Sequence, residues 1–183
     1  MINRPIFNNR ENEEAELKDG RKIWISRSPC VKVVVLAVNK SGIFVLAEKR
    51  SKTMIDGPGL WVVPSGYLDW DETAWEAAIR ELYEETGFDV QNYENHLIFN
   101  NDKEPWIIIS DPNENRQNVV LTYCLIYDFK KELPLDIENH KDSEIEKVKW
   151  IPVGQLISPE RNWGFNHEIR IQMAVEKFKN YLK

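Results

Sequence analysis

A chain of 183 residues with 42% hydrophobic and 30% charged residues is long enough to bury one core without staples, and its balance excludes the disordered and fibrous classes. A formal net charge of -6 argues against binding to nucleic-acid duplexes, which requires many phosphates to be neutralised. No apolar run approaches the roughly 18 residues of a membrane-spanning helix, so no membrane partner is expected.

Residues 1–30 read as an N-terminal extension and 31–183 as one domain. The first 20 residues are polar and acidic and lack the uninterrupted apolar segment of a secretion signal, so the expected location is the cytoplasm. Arg21 to Ser26 alternates enough for a short strand. Val31 to Val38 and Ile43 to Glu48 form a hairpin about the turn Asn39 to Gly42. Ser51 to Gly59 reads as a loop, and Leu60 to Val63 as a strand broken at Pro64. A helix is predicted from Asp71 to Glu85, with Gly87 as its stop signal. Strands are expected at His96 to Phe99, Trp106 to Ser110, Val119 to Phe129 and Glu146 to Ile151, then a short helix within Pro152 to Ile157. Ile171, Ala174, Val175, Phe178, Tyr181 and Leu182 recur at helical spacing and predict a terminal helix packed on the sheet. This order gives an α/β fold with a mixed sheet between helices. Cys30 and Cys124 read as small buried residues, and His96, His140 and His167 as bystanders without ligand spacing.

The chemistry concentrates in Gly66 to Phe88 (GYLDWDETAWEAAIRELYEETGF). On a helical wheel Trp75, Ile79, Leu82 and Tyr83 form the stripe expected to face the core. Glu81, Glu84 and Glu85 then converge on one exposed face, with Ala74, Ala77 and Ala78 in the turns before them. Those small residues would admit the backbone of the loop that enters at Gly66. Three like charges near a helix C-terminus repel one another and oppose the macrodipole. A divalent cation reverses that sign, and oxygen-only ligands suit magnesium or manganese. Arg80 sits beside them, within reach of Glu84 or Glu76 for an ion pair.

The spacing of Gly66, Glu72, Arg80, Glu81, Leu82, Glu84, Glu85, Gly87 and Phe88 resembles the complete Nudix box. Leu60 to Pro64 resembles the strand that leads into it, and Ser143 to Leu156 the later strand and turn. One departure is Ser65, where many members carry a second glycine. The resemblance implies the family's α/β/α sandwich. It further implies hydrolysis of a diphosphate linkage in a nucleoside diphosphate derivative, releasing a nucleoside monophosphate. Glu81, Glu84 and Glu85 would bind Mg2+ or Mn2+, with the Gly66 carbonyl as a further ligand. Arg80 would orient a ligand carboxylate and Glu72, on the first helical turn, would be structural. The general base would be Glu85 or Glu84, or else Glu144 or Glu146 outside the box, with Glu144 preferred.

Candidates for substrate contact are Lys49 and Arg50, Arg116 in a polar loop, and the flanking aromatics Tyr67 and Trp70, which are expected to be exposed. Trp61 is expected in the core, as are Trp163 and Phe165. Pro105 and the N-terminal extension point to ADP-ribose or a nucleotide sugar as substrate and to a possible homodimer. Dinucleoside polyphosphates and oxidised nucleotides follow. The alternatives are a non-catalytic nucleotide sensor and an isoprenoid diphosphate isomerase, whose chemistry needs a cysteine and a glutamate facing an allylic group.

Overall fold

The computed structural model describes residues 12–115, 117–134, 143–158 and 161–183. Strands β1 (Glu13–Glu16) and β2 (Lys22–Ile25) pair only with each other, antiparallel. The main sheet has eight strands: β3 (Ser28–Asn39), β4 (Gly42–Arg50), β5 (Trp61–Val62), β6 (Ser65–Tyr67), β7 (Leu97–Asn100), β8 (Ile107–Ile109), β9 (Asn118–Lys130) and β10 (Ile145–Pro152). Their order is β10-β4-β3-β9-β7, with β8 also on β9. The sheet is mixed, because β3 runs parallel to β9 while the other pairs are antiparallel.

The β3–β4 hairpin splays. Its two strands are paired from the turn at Asn39 and Gly42 to Leu36 and Val45. Beyond that point β5 pairs with β4, β6 pairs with β3, and the Val33 amide donates to the Pro64 carbonyl at 2.9 Å. The segment from Trp61 to Tyr67 is therefore a wedge, and it sets Gly66 opposite Val31.

Alternation along the strands feeds two cores. Val31, Val33, Val35, Ala37, Leu46, Tyr123, Leu125 and Tyr127 bury against helix α1 (Ala74–Thr86). Val34, Leu36, Val45, Ala47, Cys124 and Ile126 bury against helix α2 (His167–Lys177). Both faces of β3 are covered, which is why it reads as an unbroken apolar run. The terminal helix packs as expected, with Ile171, Ala174, Phe178 and Leu182 in the second core. Tyr181 is exposed.

Helix α1 starts three residues later than predicted, because Thr73 caps it. The Thr73 hydroxyl accepts from the Glu76 amide, and the Glu76 carboxylate accepts in return from the Thr73 amide. Asp71 and Glu72 consequently lie outside the helix. Gly87 ends it in the left-handed conformation, φ 71°, as the sequence predicts.

The buried face of α1 differs from the expected stripe. Ala77, Ala78, Leu82, Glu85 and Thr86 are buried, Trp75 and Ile79 are partly buried, and Tyr83 is exposed. The alanines do not line an open carboxylate face; they let the helix settle closely onto the sheet. That rotation turns Glu81 and Glu85 inward. Strands β1 and β6 and a 3-10 helix at Val90–His96 were not anticipated, being too short or too polar to announce themselves by period.

Candidate active site

The site is assembled where β6 passes under α1. The Ser65 amide donates to Glu85 Oε2 at 2.8 Å, which ties the wedge to the last turn of the helix. One residue on, a Cβ built on Gly66 would overlap the Glu81 carboxylate. Gly66 admits that close approach, and any side chain there would push the Glu81 carboxylate aside.

Arg80 organises the acidic side chains. Its Nε and Nη2 hold both oxygens of Glu72, at 3.0 and 2.6 Å. Nη1 donates to Glu81 Oε1 at 2.7 Å and to Glu84 Oε2 at 3.0 Å. Nη2 also donates to the Tyr67 carbonyl at 3.1 Å, fixing the end of β6. The expected partner Glu76 is instead committed to the capping box. Glu72 keeps its structural part from a position ahead of the helix, and Arg80 holds its carboxyl below the usual range. Burial raises the Glu81 carboxyl, with the neighbouring charges of Glu84 and Glu72 adding to the effect and Arg80 opposing it.

The expectation that three carboxylates share one exposed face is thus corrected. Glu85 is buried, Glu81 retains 13% side-chain exposure, and Glu84 stands out at 54%. Among the described residues no three acidic, histidine or cysteine side chains already close on one point. Arg80 draws Glu81 and Glu84, and the Ser65 amide draws Glu85.

The donor set nonetheless fits a hard divalent ion. It is all oxygen, it lies towards the end of a helix whose last turn has no basic residue, and Gly66 lets the β6 backbone come close to Glu81. The residues that would hold such an ion are Glu81, Glu84, Glu85 and the Gly66 carbonyl.

Other candidates are distributed around this centre. Glu144 is exposed in the turn before β10, where its carbonyl accepts from the Ser51 amide at 2.7 Å. Glu146 lies within β10 and pairs with Lys49 at 2.8 Å, so each meets the other's charge. Arg50 donates from Nε to the Asp56 carbonyl at 3.0 Å and lies 5.9 Å from the centre of the Phe165 ring. Tyr67 and Trp70 are exposed, and Trp70 is almost wholly so. Trp61 is buried as expected, and Trp163 packs on the second core, but Phe165 is exposed and is no core residue. Arg116 and His140 lie outside the described residues.

Cys124 is buried, while Cys30 is only partly so. Cys30 has a more defined setting than the sequence suggested, with Glu81 and Glu85 among its charged neighbours, yet burial pushes its thiol up to about 11. Three polar residues went unrecognised as site neighbours. Glu48 is fully buried on β4, on the face it shares with Leu46 and α1. Lys32 and His167 are buried on the opposite side. A lysine inside VKVVVL and a glutamate ending IFVLAE were the available signals.

Comparison with known proteins locates these features. A family profile described as NUDIX domain matches residues 28–171. The phosphatase NudJ of Escherichia coli K12 is 45% identical over 58 residues, covering 32% of this chain and 35% of NudJ. The chain thus matches about a third of the length of such curated relatives. Among solved structures, a bifunctional NMN adenylyltransferase/ADP ribose pyrophosphatase from Francisella tularensis, complexed with AMP and a manganese ion, has a TM-score of 0.61. It is 23% identical over 83% of this chain and 42% of that one. The NUDIX domain of Shewanella oneidensis NrtR, complexed with ADP ribose, also has a TM-score of 0.61. It is 19% identical over 83% of this chain and 88% of that one. At these identities the structural likenesses establish the shared fold. No helix among the described residues is long and apolar enough to cross a membrane.

Proposed function

This chain belongs to the Nudix family, and we propose that it hydrolyses the diphosphate linkage of a nucleoside diphosphate joined to a further group, ADP-ribose or a nucleotide sugar first. The observation that carries this reading is the Arg80 network, which holds Glu81 and Glu84 beside a glycine cradle while the Ser65 amide holds Glu85. Two fold neighbours complexed with AMP and manganese or with ADP ribose support the choice of substrate class.

The chain's own groups have separable tasks. Arg80, fixed by Glu72 at its far end, sets the angle of the Glu81 and Glu84 carboxylates. Glu85 is buried and anchored through one oxygen, which keeps the other in a defined place. Glu84, the exposed member of the three, is the best placed to accept a proton from an attacking water. A magnesium or manganese ion held by Glu81, Glu84, Glu85 and the Gly66 carbonyl would supply Lewis acidity to the diphosphate and acidify water. Tyr67 and Trp70 offer exposed ring faces for a base or ribose.

The test is incubation with magnesium or manganese and a panel of ADP-ribose, nucleotide sugars and dinucleoside polyphosphates, followed by chromatography of the products. Release of a nucleoside monophosphate is expected, and Glu84→Gln should lower kcat by about 10²- to 10⁴-fold. Glu144→Gln should leave kcat within about threefold; a loss as large as that of Glu84→Gln would move the base to the turn before β10. Tight binding without product would make the chain a sensor, and inertness to every nucleotide with turnover of an isoprenoid diphosphate would make it an isomerase. Either result overturns the proposal.

A further inference from the structure

Strand β8 is an edge of the sheet. One side of β9 is taken along its length by β3, from Ser28 opposite Asn118 to Asn39 opposite Lys130, so β7 and β8 lie on the other side. Among the described residues β8 pairs with β9 alone. Its three residues are all isoleucine. Ile107 faces α2, Ile109 follows it by alternation, and Ile108 stands out on the opposite face at 58% exposure. Exposed edges are usually guarded against other strands by charge, above all by lysine, and β8 carries none.

Helix α2 runs beside this edge. Its buried stripe is His167, Arg170, Ile171 and Ala174. On a second stripe, one turn apart, Ile169 and Met173 are 45% and 38% exposed. A surface helix with a single core to cover keeps its outer side polar. Between α2 and β8 lies a groove of about 610 Å3, lined by Trp106, Ile107, Gln172, Met173, Glu176 and Lys177. An apolar edge, an apolar helix stripe and the groove between them thus form one continuous surface.

We propose that this surface joins two copies of the chain, with β8 paired antiparallel to β8 of the second copy about a two-fold axis at Ile108. The strand is complementary to itself. Such pairing sets Ile108 against Ile108 and Ile107 against Ile109, so every cross-strand pair is isoleucine on isoleucine and each side chain keeps its face. The axis stands perpendicular to the sheet and brings both α2 helices to the same face, where the exposed Ile169 and Met173 of the two copies approach each other. The charges agree with a second copy as well. The groove carries one acid and one base, Glu176 and Lys177, and so is neutral in a chain whose net charge of -6 otherwise keeps copies apart. Pro105 and Pro112 bound the strand and keep the added ladder short, so the helices supply the rest of the contact. The carboxylate platform lies across β3 from this edge, and the contact does not rest on the hydrolytic reading.

The test is sedimentation velocity of the full chain between about 1 and 100 μM. The wild type is expected to dimerise, and Ile108→Lys and Met173→Glu each to raise the Kd at least about tenfold. Trp24→Ser, which removes an exposed side chain of the separate β1–β2 hairpin, should leave the Kd unchanged. The substituted positions are exposed, so the variants should keep the circular dichroism of the wild type. Ile108→Cys sets a thiol beside its own copy and should form a covalent dimer under a mild oxidant, whereas the wild type, with Cys30 and Cys124 alone, should not. A dimer that persists unchanged in both Ile108→Lys and Met173→Glu overturns the proposal, as does the absence of a cross-link in Ile108→Cys. A wild type that stays monomeric also overturns it and leaves the edge to a strand of a different protein.

Discussion

Replacing Arg80 by methionine removes five hydrogen bonds, to both oxygens of Glu72, to Glu81, to Glu84 and to the Tyr67 carbonyl. It also leaves three carboxylates facing one another. A hydrogen bond to a charged group contributes about 1.5–3 kcal/mol in isolation. The contributions do not sum here, because they share one guanidinium. The side chain is also 27% exposed, which lets water and salt take over part of its role. A loss of about 3 kcal/mol is the reasonable total. For a chain of this length each kcal/mol moves Tm by roughly 2–4 °C, so the expected fall is about 6–12 °C. The assay is thermal unfolding of metal-free protein at pH 7, followed by circular dichroism. Arg80→Lys should recover less than about half of the loss, because an ammonium cannot hold Glu72 at two points. Added salt should raise Tm more in Arg80→Met than in the wild type, by screening the exposed repulsions. A Tm within about 2 °C of wild type, or full recovery by lysine, would refute the view of Arg80 as the hub of the site.

Thr73→Ala removes the hydroxyl half of the capping box and leaves the residue-73 amide to donate to Glu76; it should cost about 1 kcal/mol, a fall of roughly 2–4 °C in the same melts. The depressed ammonium of Lys32 predicts an unusual pH dependence. Its folded value of about 8 lies below the unfolded value near 10.4, so the folded state binds its proton less tightly. The cost is present below about pH 8 and is relieved as pH rises towards 10. Between pH 7.5 and 9.5 the wild type should therefore gain about 2 kcal/mol relative to Lys32→Met in guanidinium unfolding. A difference that stays flat across that window would show the ammonium to be solvated or paired.

The fold was legible where the sequence is periodic. The β3–β4 hairpin, β9, β10 and both helices follow from alternation, helical spacing and the stop at Gly87. What the period missed was burial on both sides. Tyr83 is large and apolar, so a wheel assigns it to the core with Trp75, yet it is exposed, and the small Ala77 and Ala78 are what the sheet accepts at close range. The same blindness assigned Glu81 and Glu85 to an exposed face. Their inward turn depends on Ser65 and Gly66 lying beneath the helix, and β6 is too short to be read from sequence. At the site, the box residues were legible because they occupy one contiguous segment. Glu48, Lys32 and His167 were not, since each is a lone polar residue whose burial only the packed sheet and helices produce.

The wedge between β3 and β4 gives these two groups different entropic standing. Gly66 and Glu81 are fifteen residues apart in the chain, so their approach closes a short loop. Lys32 and Thr122 are register partners across β3 and β9, ninety residues apart. Loop closure over the longer span costs roughly 1.6 kcal/mol more. The carboxylate platform thus closes over a short span, and β6 and α1 bring it to the sheet together. The surfaces around it are drawn from distant segments and can change without disturbing it. A chain built this way can exchange its ligand while its reaction stays fixed.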